Sequence, residues 1–328
     1  MTGRTVVITG ANSGIGRAAA RALAARDARV VLAVRNADKG REAAAGMPGH
    51  VEVRQLDLAD LASVRAFAED FTGPVDVLIN NAGIMVPPFS RTADGFELQF
   101  GTNHLGHFAL TNLLLPRIRE RVVTVSSGGH RVGRVDFDDL NWERKPYRAM
   151  PAYAQSKLAN LLFTAELQRR LAELGAAVIA TAAHPGMAAT NLLKPGGRHR
   201  ARDLTLRAMV DLFAQSDDDG ALPTLYAAVA DVPGDSYVGP SGFLEGRGAP
   251  KLVGRSARAH DAEAARRLWE VSEELTGVAF PWRAFQAARH VPPAARPASQ
   301  QTPPEQHGSP ARSATTRSDW RHDEVEAR

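Results

Sequence analysis

A tyrosine and a lysine stand four residues apart in the stretch Tyr153-Ala-Gln-Ser-Lys157. In a helix, residues i and i+4 lie on one face, one turn apart. An ammonium group at that distance favours the phenolate and lowers the pKa of the phenol, so the pair predicts a general acid/base that moves a hydroxyl proton. The spacing alone also arises by chance in many helices. Lysine is scarce here, with five lysines against 35 arginines, which favours a specific role for Lys157.

A glycine-rich turn near the N-terminus is the second chemical signal. A β-rich run, Thr5–Thr9, leads into this turn, and an alanine-rich helical segment follows it from 17 to 25. Glycines let the backbone turn tightly and approach a pyrophosphate, and the helix N-terminus offers free N–H groups to the phosphates. The alternative is a tight turn without a ligand. The predicted cofactor contacts in this turn are Gly10, Asn12, Ser13, Gly14, Ile15 and Gly16.

The second predicted strand, residues 28–34, ends at Arg35. An NAD site usually has an acid about 20 residues beyond the glycines, where it binds the ribose hydroxyls. A guanidinium at that place suits a 2′-phosphate by its charge and its bidentate geometry. The sequence therefore favours NADP(H) over NAD(H), with Arg17 as an assisting cation. The alternative is that Arg35 is a solvated arginine at a strand end.

Polar or small residues follow further predicted strands. These strands lie at 51–58, 75–79, 121–127 and 176–182, and a short seventh lies at 236–240. Their alternation with helical segments predicts right-handed βαβ crossovers and a parallel sheet, whose ligands lie beyond the carboxyl ends of the strands. One helix is predicted over 95–115, with Asn103 inside it. The residues that this arrangement brings to one edge are Asp57, Asn81, Ala82, Gly83, Ser126, Ser127, Pro185 and Gly186.

Composition excludes several classes of protein. The chain has no cysteine, so disulfides, thiolate nucleophiles and Cys-ligated metal sites are excluded. His104 and His107 lack a third ligand at metal spacing, so no metal site is predicted. We find no signal-peptide pattern and no apolar run that could span a membrane, and we expect a cytoplasmic protein. The net charge of +4 comes from scattered arginines without an aromatic-interleaved basic patch, so no nucleic-acid partner is predicted.

The sequence divides into one large domain, residues 1–290, and a tail, residues 291–328. The tail is rich in Pro, Ser, Thr, Gln and Arg, and such a composition buries too little apolar surface to offset the entropy of ordering. We therefore predict a disordered tail. Inside the domain, residues 191–216 are interpreted either as a mobile lid over a pocket or as a plain surface connection.

Taken together, these motifs resemble the short-chain dehydrogenase/reductases. The resemblance rests on the stretch from Thr9 to Gly16, Asn80-Asn-Ala-Gly83, Asn103, Ser127, Tyr153-x3-Lys157 and Pro185-Gly186, and it covers roughly residues 4 to 280. Stretches such as Asn103-His-Leu-Gly-His-Phe108 and Ser156-Lys-Leu-Ala-Asn160 are similar to the branch of retinol dehydrogenases and the WW-domain oxidoreductase. The fold implied is α/β, a single Rossmann-type doubly wound parallel sheet with helices on both faces.

The resemblance also implies roles for individual residues. Tyr153 is the general acid/base, and Lys157 lowers its pKa and binds the nicotinamide ribose. Ser127, in preference to Ser126, binds the substrate oxygen, and Asn103 holds a water for proton relay. The remaining implied cofactor contacts are Asp57 and Leu58 beside the adenine, Asn81 with Ala82 and Gly83 along the cofactor, and Pro185, Gly186 and Thr190 at the carboxamide.

The sequence thus predicts an NADP(H)-dependent oxidoreductase that interconverts an alcohol and its carbonyl. A small lipophilic substrate is expected from the apolar residues near the cleft, Met85, Met150, Met187 and Leu192. The alternative is a cofactor-binding regulatory or scaffold protein on the same fold. A homo-oligomer is expected from the family alone.

Overall fold

The computed structural model describes residues 1–186 and 216–289, and the side chains of residues 1–186 and 216–285. Several predictions from the sequence lie outside the described residues. They include the role of Thr190, the apolar residues Met187 and Leu192, the lid or connection at 191–216 (of which only residue 216 is described) and the disordered tail at 291–328. The domain boundary predicted after residue 290 falls in the same region.

A single sheet forms the centre of the described part of the chain. The strands are β1 Thr5–Thr9, β2 Arg29–Val34, β3 His50–Gln55, β4 Val75–Asn80, β5 Ile118–Val125, β6 Ile179–Ala183, β7 Tyr237–Pro240 and β8 Pro250–Leu252. Their order in the sheet is β3-β2-β1-β4-β5-β6-β7-β8, and every neighbouring pair is parallel except the last, which is antiparallel. The predicted parallel, doubly wound sheet is therefore confirmed.

Helices cover both faces of the sheet because successive strand residues point to opposite sides. The helices are α1 Gly14–Ala24, α2 Ala37–Ala45, α3 Leu61–Asp70, α4 Leu98–Phe100, α5 Gly106–Leu114, α6 Ala149–Glu173, α7 Asp217–Val229, α8 Ala262–Thr276 and α9 Trp282–Arg289. Val7 belongs to a buried cluster with residues of α3, α5, α6 and α8, whereas its neighbour Val6 belongs to a second cluster with residues of α1 and α7.

The prediction of one continuous α-helix over 95–115 is wrong. A π-helical segment, Gly101–Leu105, separates α4 from α5. Here the N–H of Gly106 bonds to the carbonyl of Gly101, five residues earlier. A Cβ on Gly106 would lie 2.4 Å from the carbonyl oxygen of Leu58, so only glycine allows this close approach. The π turn shifts the face on which Asn103 lies, a feature that often marks a functional site.

Among the strands and α-helices of the described fold, β8, α2 and α9 were not predicted from the sequence. The edge strand β8 has only three residues and begins with a proline, so its strand signal is weak. The helix α2 has few buried residues and therefore little apolar periodicity. Among the helices of residues 1–186 and 216–289, none combines the length and apolar character that a membrane crossing needs.

Candidate active site

Tyr153 and Lys157 lie one turn apart on α6, as predicted. The Tyr153 side chain is 6% exposed, and the Lys157 ammonium lies 5.7 Å from the centre of its ring. Burial raises the pKa of Tyr153, and a hydrogen bond with Ser127 opposes that rise. From the spacing of Lys157 we expected a lowered pKa of Tyr153. The pKa is raised instead, because burial disfavours the charged phenolate more strongly than the hydrogen bond with Ser127 favours it.

The Lys157 ammonium is deeply buried beside the end of β5. Its Nζ donates to the carbonyl oxygen of Val125 at 3.1 Å. Burial lowers the pKa of Lys157 to about 8, because the low-dielectric surroundings disfavour the charged form. A Cβ on Gly83 would lie 3.3 Å from Nζ and 3.4 Å from Oδ1 of Asn103. Gly83 therefore brings the turn after β4 close to both polar side chains.

Both the oxygen and the nitrogen of the Asn103 side-chain amide form hydrogen bonds with neighbouring segments of the chain. Its Oδ1 accepts from the N–H of Ile84 at 2.8 Å, and its Nδ2 donates to the Ile84 carbonyl at 3.0 Å and to Oγ of Ser156 at 3.0 Å. Ser156 in turn donates to the carbonyl of Tyr153 at 2.8 Å. Asn103 thus connects the turn after β4 to α6, while its predicted role in holding a water stays a prediction.

The two serines after β5 have different surroundings. Ser126 is buried, and its Oγ donates to the carbonyl of Lys157 at 2.7 Å. Ser127 is half-buried, accepts from the N–H of Gly129 at 3.1 Å and is hydrogen-bonded to Tyr153. The available hydroxyl beside the phenol is therefore that of Ser127, and its predicted bond to the substrate oxygen stays a prediction.

The glycine-rich turn joins β1 to α1 and has the shape that a phosphate site needs. Gly10 and Gly14 have φ values of 67° and 56°, a region that favours glycine. A Cβ on Gly16 would lie 2.4 Å from Nδ2 of Asn81. The side chain of the N-cap residue Ser13 makes no capping bond, so the first N–H groups of α1 stay available to an anion. Asn12 and Ile15 lie within the same turn.

A surface cavity of about 350 Å³ opens between this turn and α2. Arg35 stands exposed where β2 ends, immediately before the α2 N-cap Asn36, and makes no ion pair within residues 1–186 and 216–289. Lys39, which the sequence analysis missed, adds a cation to the lining. In the sequence, Lys39 could have been found as a second cation only four residues after Arg35. The lining residues are Asn12, Ser13, Arg17, Lys39, Glu42 and Ala43.

Asp57 and Leu58 follow β3, at the same edge of the sheet. One carboxylate oxygen of Asp57 accepts from the N–H of Ala59 at 2.9 Å, and its own N–H donates to Oγ of Ser63 at 3.0 Å. These local bonds hold Asp57 half-buried in the position where an adenine-binding residue is expected.

Thr9 and His107 join the cofactor turn to the helix that carries Asn103. The Thr9 hydroxyl oxygen accepts from the N–H groups of Asn81 and Ala82, each at 2.9 Å. Nδ1 of His107 donates to the Asn103 carbonyl at 3.0 Å, so Nε2 is free to accept from the Thr9 hydroxyl at 2.9 Å. Sequence analysis assigned no role to His107 beyond the lack of metal-ligand spacing, and this link was missed because its partners are 98 residues apart in the chain.

Burial lowers the pKa of His107 to about 4. Because the unfolded chain binds a proton near pH 6.5, the stability from neutral His107 is complete above that pH and is lost as the pH falls towards 4. Through His107 alone, the free energy of unfolding is expected to fall by about 2 kcal/mol when the pH is lowered from 7 to 5. Urea unfolding of the wild type and His107→Gln at both pH values checks this.

The expected result is a smaller loss on acidification in His107→Gln than in the wild type. The matched control is His50→Gln, which makes the same substitution at an exposed histidine. An equal loss in the wild type and His107→Gln would contradict the assigned neutral imidazole.

The turn after β6 carries His184, Pro185 and Gly186. Gly186 has a φ of 70°, and its N–H donates to Nδ1 of His184 at 3.2 Å. A Cβ on Gly186 would lie 2.4 Å from the Gly246 carbonyl and 2.9 Å from the Glu245 carbonyl, so the turn packs directly on the loop between β7 and β8. Pro185 and Gly186 therefore stand at the same sheet edge as Ser127, while Thr190 lies outside the described residues.

Comparison with known proteins identifies the family. The model of the short chain dehydrogenases matches residues 4–201. The chain belongs to the short-chain dehydrogenase family. It is 44% identical to human retinol dehydrogenase 13 over 297 residues, covering 85% of this chain and 86% of that protein. Within the family, the predicted resemblance to the retinol dehydrogenase branch is confirmed.

Two solved structures are also similar to this chain. An uncharacterized protein from Mycobacterium paratuberculosis is 56% identical, with a TM-score of 0.75, covering 85% of this chain and 96% of that one. An NAD(P) dependent gluconate 5-dehydrogenase from Beutenbergia cavernae, with bound NADP, is 29% identical, with a TM-score of 0.51 and coverage of 70% and 90%. The family makes this chain an oxidoreductase that acts between alcohols and carbonyls with a nicotinamide cofactor.

The residues present fit such a cofactor. The short-chain dehydrogenase turn between β1 and α1 leaves N–H groups free beside two glycines with positive φ, and cations line the neighbouring cavity. Among the residues whose positions are described, no group of three His, Asp or Glu side chains could hold a metal ion.

Proposed function

We propose that the protein interconverts a small lipophilic alcohol and its aldehyde or ketone with NADP(H). The observation that supports the chemistry best is the meeting of Tyr153, Ser127 and Lys157 beside the glycine-rich turn. When bound, the cofactor supplies or accepts the hydride. The protein orients the two reactants and moves the proton.

Each side chain has a distinct part in this proposal. Ser127 donates a hydrogen bond to the substrate oxygen, and the phenol of Tyr153 gives that oxygen a proton during reduction or takes it during oxidation. The Lys157 ammonium stabilises the phenolate and binds the nicotinamide ribose. Its pKa of about 8 keeps it largely charged at neutral pH. Asn103 holds the turn after β4 next to α6 through its hydrogen bonds with Ile84 and Ser156.

The preference for NADP(H) rests on charge. Arg35 lies exposed at the end of β2 without a carboxylate partner in the described part of the chain. Arg17 and Lys39 line the cavity between the glycine-rich turn and α2, the helix that begins two residues after Arg35. A 2′-phosphate would satisfy this cationic group, whereas a ribose hydroxyl would leave it uncompensated. Glu42 in the same lining reduces the positive potential without removing it.

A lipophilic substrate is supported by exposed apolar side chains around the site. Met150 is 52% exposed and lies three residues before Tyr153 on α6, and Val132 is 77% exposed at the end of the short helix after Ser127. Val86 is 40% exposed and is connected through Gln99 to the carbonyl of Ala149, next to Met150. Of the other predicted apolar residues, Met85 is half-buried, whereas Met187 and Leu192 lie outside the described residues.

A chain-length series tests this function. We expect NADPH to be oxidised with straight-chain aldehydes, with kcat/KM for decanal above that for butanal. Met150→Ser should lower the decanal-to-butanal ratio about fivefold, because a partly buried methionine contributes on the order of 1 kcal/mol. The matched control is Val229→Ser, which removes an exposed apolar side chain from α7 and should leave the ratio unchanged.

Different failures of this experiment have different meanings. Cofactor binding without turnover of any aldehyde, ketone or alcohol would support the alternative, a cofactor-binding regulatory or scaffold protein. If the decanal-to-butanal ratio of kcat/KM in Met150→Ser equals that of the wild type, Met150 does not contact the substrate. The cytoplasmic location, the homo-oligomer and the absence of a nucleic-acid partner stay predictions from the sequence.

A further inference from the structure

The carboxylate of Glu245 lies between two segments that border the site. Glu245 belongs to the loop between β7 and β8, and its side chain is 24% exposed. Nη2 of Arg131 donates to both carboxylate oxygens, at 2.9 and 3.0 Å. Nε2 of His184 lies 3.1 Å from Oε2, a close contact that is not a well-aligned hydrogen bond. One carboxylate therefore contacts side chains from two separate elements.

The first of these elements begins at Ser127. Arg131 belongs to the short helix Gly128–Val132, whose N-cap is Ser127. Within it, Nδ1 of His130 donates to the Ser127 carbonyl at 2.7 Å, and Nε2 of the same ring accepts from the N–H of Ser256 at 3.2 Å. Holding Arg131 therefore holds the helix that carries the Ser127 hydroxyl.

The second element is the turn His184-Pro185-Gly186. Because Nδ1 of His184 accepts from the N–H of Gly186, the proton of the neutral ring is on Nε2, the atom that faces Glu245. Burial lowers the pKa of His184 to about 4, although the Glu245 carboxylate opposes the shift. The neutral ring therefore contacts Glu245 through Nε2, without an aligned hydrogen bond, and the turn that carries His184 also packs against the backbone of the Glu245 loop.

The backbone of the loop supports the same interpretation. Leu244 and Glu245 have φ values of 50° and 56°, a region that side-chain-bearing residues rarely adopt. Such a conformation is unfavourable for residues that carry a side chain, and it persists where surrounding contacts impose it. Those contacts are the Arg131 and His184 side chains and the packing of the loop carbonyls against Gly186.

We propose that Glu245 is a positioning residue that sets the distance between the substrate oxygen and the nicotinamide. The inference rests on the proposed function, which assigns the substrate oxygen to Ser127 and the carboxamide to the Pro185–Gly186 turn. Glu245 contacts neither reactant. It fixes the helix after Ser127 and the turn after β6 relative to each other, and a shift of about 1 Å between reacting groups can cost up to about a hundredfold in rate.

The test compares Glu245→Ala and Glu245→Gln with Glu120→Ala. Glu120 is a fitting control because it accepts from Nε of Arg4 at 2.9 Å and lies in β5 towards its N-terminal end, away from the site. Glu245→Ala is expected to lower kcat for aldehyde reduction about tenfold or more, with a smaller change in KM. Glu245→Gln keeps an oxygen acceptor for Arg131 and should recover part of that rate.

A second readout does not depend on turnover. The fluorescence of the nicotinamide ring of bound NADPH should fall in Glu245→Ala, while the Kd stays within about twofold because the phosphate contacts are elsewhere. Thermal unfolding of each variant shows that it is folded. A merely structural role would lower Tm and leave kcat per folded enzyme and the bound fluorescence unchanged.

The outcomes separate this inference from the proposed function. If the wild type binds NADPH but turns over no carbonyl or alcohol, the proposed function fails, and an unchanged fluorescence in Glu245→Ala would overturn the positioning role as well. If the wild type is active and Glu245→Ala behaves like Glu120→Ala in both kcat and fluorescence, only the positioning role is overturned. A loss of kcat and of fluorescence, partly recovered in Glu245→Gln, supports it.

Discussion

Tyr153→Phe is expected to lower kcat by about a thousandfold while leaving the Kd for NADPH within about twofold, since general acid/base groups contribute about 10² to 10⁴ in rate. The change removes one oxygen and keeps the ring, so the packing of a side chain that is 6% exposed is retained. The Ser127 hydroxyl loses its partner but remains bonded to the N–H of Gly129. The variant should therefore fold and bind cofactor, but it lacks the proton donor.

Kinetics of aldehyde reduction and a fluorescence titration with NADPH measure the two effects separately. The matched control is Tyr226→Phe, which removes the hydroxyl of a tyrosine that is 36% exposed on α7. The control should retain full activity. Turnover in Tyr153→Phe close to that of the wild type would mean that another group moves the proton, and the mechanism would have to be abandoned.

The second large effect concerns the choice of cofactor. Arg35→Asp is expected to weaken NADPH binding about a hundredfold, because it replaces a charge-assisted bond to the 2′-phosphate by a like-charge contact. The new carboxylate would repel a 2′-phosphate and accept hydrogen bonds from ribose hydroxyls, so NADH should become the preferred cofactor. Arg17 and Lys39 remain and should limit how far the preference inverts.

Titration of both cofactors against the wild type and Arg35→Asp gives the preference directly. Arg26→Asp is the matched control, because it makes the same change of charge at an exposed arginine just beyond the C-terminal end of α1, away from the glycine-rich turn. If the wild type binds NADH as tightly as NADPH, the role assigned to Arg35 is wrong, although the family and the chemistry would stand.

Much of the fold and of the site was accessible from the sequence because the signals are local. The turn from Gly10 to Gly16 lies between a β-rich and an alanine-rich segment, and such a turn has few conformations available to it. The spacing of Tyr153 and Lys157 places them on one helical face whatever surrounds the helix. Parallel strands bring their carboxyl ends to one edge, so Asn81 and Ser127 could be expected near each other before any contact was seen.

Other features depended on contacts between distant parts of the chain. The link from Thr9 to His107 spans 98 residues, and that from Arg131 to Glu245 spans 114. Neither pair has a spacing that a sequence pattern detects. The π turn at Gly101–Leu105 likewise depends on how closely α5 approaches Leu58, which propensity does not describe.

Local sequence thus determined which residues could do chemistry and on which element each one lies. Tertiary structure alone decided their electrostatic state and their fixed positions. Burial, which is a property of the whole fold, raises the pKa of Tyr153 and lowers that of Lys157 to about 8. It also separates Ser126, enclosed against α6, from the more accessible Ser127. The physical reason is that desolvation and hydrogen-bond partners depend on which segments pack together, whereas residue type and spacing do not contain that information.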